Sequence, residues 1–205
     1  MANHVNNRLT FDEISDEGLK VWQEQFVDKI SGTPNFDLRQ FFFEIEGDQY
    51  VDFDYSVVEN KIGAKWATVE DEHDGLNVTS AWSAIIPFAA HVAETIGKVD
   101  PDVRLVLTYE DEFPNFVGVA TFTAEGLDTD NEWDSEEIRD RMIANDDELR
   151  ELWDSEEEDW IEDKEEEAED IMSDIQWETI NDMQVEGIEW TDNTVCGDLD
   201  NYYGI

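Results

Sequence analysis

The 205-residue sequence predicts an α+β fold with a separate acidic end, and three observations predict it. Several short runs in the first part alternate apolar and polar residues, the two-residue period of half-buried strands. Other runs repeat apolar residues every three or four positions, the period of amphipathic helices. The charge is also uneven. The chain holds 55 Asp and Glu against 12 Lys and Arg, a formal net charge of −43. Residues 1–126 carry 24 acidic and 8 basic residues, a net −16, and residues 127–205 carry 31 acidic and 4 basic residues, a net −27. A division at Gly126 is therefore expected, with an α+β unit over 1–126 and an acidic, mainly helical extension over 127–205.

In chain order, Thr10-Phe-Asp-Glu13 has the form of a capping box, in which hydroxyl and carboxylate each satisfy an orphan N–H. A helix is expected from there to about Ile30, with Trp22, Phe26 and Ile30 as its buried stripe and Ser31-Gly-Thr-Pro34 as its stop. Phe41, Phe43 and Ile45 alternate as in a strand, and Tyr50–Val58 reads as a second strand. Gly63–Thr68 and Leu76–Trp82 are two more, joined by a polar link with an Asp74-Gly75 turn signal. Pro87–Lys98 reads as a helix with Phe88, His91, Val92 and Ile96 inward. Val103–Tyr109 and Phe116–Phe122 close the unit as strands.

Three short motifs in this unit are similar to the YubB-type domain family of phages and plasmids. They are Gly63-Ala-Lys65-Trp66, Thr79-Ser-Ala81-Trp82-Ser83, and Tyr109-Glu110 followed by Asn115-Phe116-Val-Gly118. They stand in the family's order over residues 40–126, without its Pro pair after Ser83 or its Gly-Thr step before Lys65. The resemblance implies a ferredoxin-like βαββαβ sandwich and a mobile-element origin. It implies no enzymatic activity.

From Asp128 to about Met183 the sequence reads as helices with an acidic exterior. Asp134-Ser-Glu-Glu137 and Asn145-Asp-Asp-Glu148 look like helix starts, and Ser155 with Glu158 like a third. Ile138, Met142, Leu149, Trp153, Trp160, Ala168, Ile171 and Ile175 drift along one apolar stripe. Trp133, Trp153, Trp160, Trp177 and Trp190 are expected to anchor these helices, or in part to stand exposed as partner contacts. Ile188-Glu-Trp190 reads as a strand.

The densest run is Asp154, Glu156, Glu157, Glu158, Asp159, Glu162, Asp163, Glu165, Glu166, Glu167, Glu169 and Asp170, with Lys164 its only base. As one helix it would carry a charge per roughly 2.1 Å of axis, against about 1.7 Å for duplex DNA. Those twelve carboxylates are the candidate phosphate surrogates, and the composition resembles that of DNA-mimic antirestriction proteins.

The charge excludes direct binding to nucleic acid or to an anionic membrane surface. The longest apolar run, Ala84–Ala90, is too short to span a bilayer, and the start of the chain lacks the pattern of a signal peptide. With Cys196 as the single cysteine, a cytoplasmic location is expected. His4, His73 and His91 share no metal-ligand spacing. The acids from Asp128 to Asp134 begin like a calcium loop but place Trp133 and Arg139 where glycine and glutamate are needed. No cofactor, metal or catalytic constellation is therefore expected. The expected partner is the basic cleft of a host nucleic-acid-binding protein or defence complex. The alternative is a non-enzymatic protein-binding module, using the sheet domain or exposed Trp residues, whose acidity serves solubility or high salt.

Overall fold

The computed structural model describes residues 3–47, 49–71, 75–113, 115–154, 159–161 and 164–191. They form a mixed α+β structure around a six-stranded antiparallel sheet. Strand β1 (His4–Glu13) lies inside this sheet, where Val5, Asn7 and Leu9 are buried and alternate with exposed His4, Asn6 and Arg8. The capping box expected at Thr10–Glu13 is thus part of a strand. Its backbone continues the ladder with β6, through Thr10 opposite Val106, Phe11 opposite Leu105 and Glu13 opposite Arg104, and that ladder outweighs one cap. The helix starts later, at Ser15, whose hydroxyl accepts from the Gly18 N–H at 3.1 Å. It runs as α1 (Asp16–Trp22), a π-helical turn (Gln23–Val27) and α2 (Asp28–Ile30). Trp22, Phe26 and Ile30 are buried along it, as their spacing predicts.

The stretch read as two strands over Phe41–Val58 is mostly something else. A 3-10 turn (Leu38–Phe41) leads to a hairpin of β2 (Ile45–Glu46) and β3 (Gln49–Tyr50), then to helix α3 (Tyr55–Lys61). Asp54 decides the helix, because its carboxylate accepts from the Ser56 N–H at 2.9 Å. The alternation of Phe43, Tyr50 and Phe53 serves a local ring cluster instead of a sheet face.

Strands β4 (Ala67–Asp71) and β5 (Leu76–Ala81) follow, then helix α4 (Ile86–Ile96), β6 (Arg104–Asp111), β7 (Phe116–Thr123) and β8 (Gly126–Asp134). The sheet order is β4-β5-β1-β6-β7-β8, with every neighbour antiparallel. Strand β8 corrects the helical reading that began at Asp128. Asp128, Asp130, Glu132 and Asp134 alternate along a strand paired with β7, so the division at Gly126 falls on a hairpin within one sheet.

One face of the sheet is covered by α1, α2 and α4, with Phe26, Phe88, Leu105, Leu107 and Phe122 in the shared core. Asn7 is the polar pin of this core. Its amide donates to the Val78 carbonyl at 3.0 Å and to the Ser80 hydroxyl at 2.9 Å, and its oxygen accepts from the Ile85 N–H at 3.0 Å. That last bond caps α4, whose start has no other side-chain cap.

The opposite face is covered over β7 and β8 by the acidic part: α5 (Ser135–Asn145), α6 (Asp147–Leu152), a hairpin of β9 (Trp153–Asp154) and β10 (Asp159–Trp160), and the long helix α7 (Glu165–Thr191). Residues 188–190, read as a strand, continue α7. Gly187 lets this helix close on the sheet: a Cβ there would lie 2.8 Å from the Trp133 ring. A glycine inside a helix costs about 1 kcal/mol, which this close approach offsets.

Candidate functional site: an acidic helical layer and a polar groove

The acidic layer is built on an apolar underside. Val117 from the sheet packs with Ile138 and Met142 of α5, Leu149 and Leu152 of α6, and Ala168, Ile180 and Met183 of α7. Asp134 starts α5 with a capping box, accepting from the Glu137 N–H while the Glu137 carboxylate accepts from its own N–H, each at 3.0 Å. Asp146 caps α6 at the Leu149 N–H. Trp133, Trp153 and Trp160 are half-buried against this cluster, in the anchoring role expected of them. Trp177 is exposed on α7, and the side chain of Trp190 lies outside the described residues.

The single acidic helix expected over Asp154–Asp170 does not form. Trp153 and Trp160 meet edge to face at 4.9 Å, and the backbones of Trp153–Asp154 and Asp159–Trp160 pair as a hairpin. Burying two indoles wins over continuing a helix in which acids repel at every fourth residue. Helix α7 starts at Glu165 instead. Of the twelve candidate surrogates, Asp154 is half-buried on β9 and Asp159 is exposed on β10. Glu165, Glu166, Glu167, Glu169 and Asp170 are exposed on α7, and Glu156, Glu157, Glu158, Glu162 and Asp163 lie outside the described residues.

The guanidinium of Arg139 sits over the Trp153 ring, 4.9 Å from its centroid. Replacing Trp153 with alanine removes both ring contacts and is expected to cost about 2 kcal/mol. Denaturant unfolding would measure the loss, and near-UV circular dichroism would show the Trp153–Trp160 pair disappear.

The structure brings out a different acidic line. Glu166, Asp170, Asp174, Glu178 and Asp182 recur every four residues on α7, all exposed. Steps of four turn by about 40° and rise about 6 Å, so the five form one gently winding stripe. With Glu165, Glu167 and Glu169, eight exposed acids occupy about 27 Å of helix, one per roughly 3.4 Å of axis. That spacing is close to the phosphates of one DNA strand, about 3.4 Å, and looser than the duplex value expected for the 154–170 run. The cations of this layer are already engaged within it: Arg139 with Glu136 and Asp140, Arg141 with Glu186, Arg150 with Asp147, and Lys164 with Glu167. Among the described residues, none lies within ion-pair distance of the five stripe acids. Sequence reasoning missed Asp174, Glu178 and Asp182 because they are diluted among apolar residues. A search for acids at a spacing of four would have found them.

Beside the stripe lies a polar groove of about 740 Å³. Its floor is the uncovered face of β5, β1 and β6, with Asn6, Arg8, Asn77, Thr79, Thr108 and Glu110, and α7 forms a wall with Asp182 and Gln184. Glu110, a residue of the third sequence motif, accepts from the Gln184 amide at 3.4 Å. Burial pushes its carboxyl above the usual range, only partly offset by hydrogen bonds from Gln184 and Asn6. A raised folded-state value means that Glu110 favours the fold most when protonated, below the ordinary glutamate range, and loses that contribution as pH rises through its folded value. Glu110→Gln is therefore expected to be more stable than the parent near pH 7, with the gap closing on acidification. Paired melts across that range would measure it.

Tyr109 and Gly118, from the same motif, face each other across β6 and β7. The Tyr109 ring covers Gly118, and its hydroxyl donates to Asp130 on β8 at 2.8 Å. Two acids of the calcium-loop-like run, Asp130 and Glu132, thus hold a phenol. Burial and these carboxylates push the Tyr109 hydroxyl far above its usual value. Burial also lowers His91, helped by the nearby Lys61, Lys98 and Lys29. Among the described residues no group of three or more His, Cys, Asp or Glu is placed to hold a metal ion, and no helix is long and apolar enough to cross a membrane. Comparison with protein-family models, with curated proteins and with solved structures finds no match to this chain.

Proposed function

We propose that this protein is a DNA mimic of mobile-element origin that occupies the basic cleft of a host nucleic-acid-binding protein, such as a restriction or other defence complex. The observation that carries the reading is the α7 stripe: five exposed carboxylates at regular spacing on a helix anchored to the sheet. Rigid placement matters, because charges on a loose chain would lose ordering entropy on binding. Affinity would come from electrostatics and fall with salt, as it does for the nucleic acid being copied. The half-buried Glu110 on the floor of the groove does not enter this activity, which needs no catalysis.

We read the core as ferredoxin-like. Strands β1, β4, β5 and β6 with the helices between them run strand–helix–strand–strand–helix–strand, and their order in the sheet is β4-β5-β1-β6. This supports the likeness to the YubB-type family, as does the contact between Tyr109 and Gly118 of its third motif. The test is capture of partners from a bacterial lysate at low and at high salt, followed by competition with duplex DNA. A mimic gives a partner that is released by salt and excluded by DNA. A partner held equally in high salt and indifferent to DNA overturns the reading.

A further inference from the structure

Trp82 stands at the end of β5 with φ of +74° and is 54 % exposed. The left-handed region is strained for a bulky residue, at about 1–2 kcal/mol, and an exposed indole returns little of that by burial. The conformation is nevertheless held firmly. The Trp82 N–H donates to the Asn3 carbonyl at 3.1 Å, and the Ser83 hydroxyl donates to the Gly63 carbonyl at 3.0 Å. The Ala81 N–H donates to the Trp66 carbonyl at 3.0 Å. The loop 63–66 and the end of β5 are thereby locked together, and the indole is held out from them.

Trp82 lines a cavity of about 210 Å³ with Tyr55, itself 53 % exposed, and with Glu59 and Lys65 at its sides. The lining also includes Gly63, Ala64 and Ala81, small residues that leave room for one side chain. Glu59 and Lys65 balance in charge, so the choice of occupant falls to the rings and to the protein's field. Aromatic faces are electron-rich, and the chain carries a net −43. Both favour a cation. A planar guanidinium suits them best, because it can lie flat on an indole while keeping an edge for Glu59.

We propose that the Trp82–Tyr55 cavity is a preformed slot for an arginine side chain of a protein partner. The inference rests on the proposed function only in taking that partner to be basic. Its site is separate from the α7 stripe.

The test uses the whole chain with ¹⁵N-labelled tryptophan indoles, titrated with N-acetyl-arginine amide and, separately, with adenosine monophosphate. The expected result is a saturable shift of the Trp82 indole with the arginine probe and none with the nucleotide. Trp82→Gly should weaken binding of the arginine probe at least about tenfold, read on the remaining indoles or by calorimetry, while leaving Tm unchanged or raised because the strain is relieved. Trp82→Phe, which keeps a ring face, should retain binding within about threefold. A fall in Tm of Trp82→Gly would make Trp82 a packing residue and overturn the proposal. So would a Trp82 indole that is silent to arginine, or one that answers the nucleotide instead. Because the probe is a small molecule, the slot is tested whether or not the acidic stripe holds a partner.

Discussion

Neutralising the α7 stripe, with Glu166→Gln, Asp170→Asn, Asp174→Asn, Glu178→Gln and Asp182→Asn together, is expected to weaken partner binding by about 100- to 1000-fold. The figure follows from five surface charge pairings at about 0.5–1 kcal/mol each. The slope of affinity against salt should flatten in step, by about one ion for each carboxylate neutralised. Stability should move the other way. Five like-charge pairs at i,i+4 disappear from α7, the last of them Asp182 with Glu186, each a repulsion of a few tenths of a kcal/mol, so the variant should melt higher than the parent. Weaker binding together with a gain in Tm separates a functional stripe from a structural one. Unchanged binding would mean that the acids are only a solvated surface. Neutralising Glu136, Glu137 and Asp140 on α5 is the control, since these exposed acids share the layer but not the stripe.

Gly118→Val is expected to be the most damaging single substitution in the sheet, at about 3 kcal/mol and a fall in Tm of roughly 10 °C. A Cβ at this position would lie 2.2 Å from the Tyr109 ring. The ring cannot swing aside cheaply, because its hydroxyl is bonded to Asp130 and its body is buried in the core. The check is a double-mutant cycle in thermal or denaturant unfolding. In a Tyr109→Leu background, Gly118→Val should cost far less, because the atoms it strikes have gone. Equal cost in both backgrounds would place the strain in the backbone instead.

Much of the fold was legible in local patterns. The α4 stripe of Phe88, Val92 and Ile96, the run of β6 and β7, and the capping box at Asp134 each follow from residues within one turn or one strand. What failed were places where a local signal met a stronger distant one. Thr10-Phe-Asp-Glu13 could cap a helix, but the ladder from β6 claims its backbone. The acids of β8 looked like a helical surface until β7 paired with them. The run over Asp154–Asp170 was the richest in charge, yet the contact between Trp153 and Trp160 divides it.

Sequence alone determined the amount and sign of the charge and its concentration after Gly126. These are sums over residues and need no geometry. Tertiary structure decided which of the acids stand in a line. A stripe exists only once a helix has an axis and a buried side, and the packing of Ala168, Ile180 and Met183 against α5, α6 and the sheet supplies both. It also decided that Trp82 would be held outward in a left-handed turn, since that conformation comes from hydrogen bonds with residues far away in the chain.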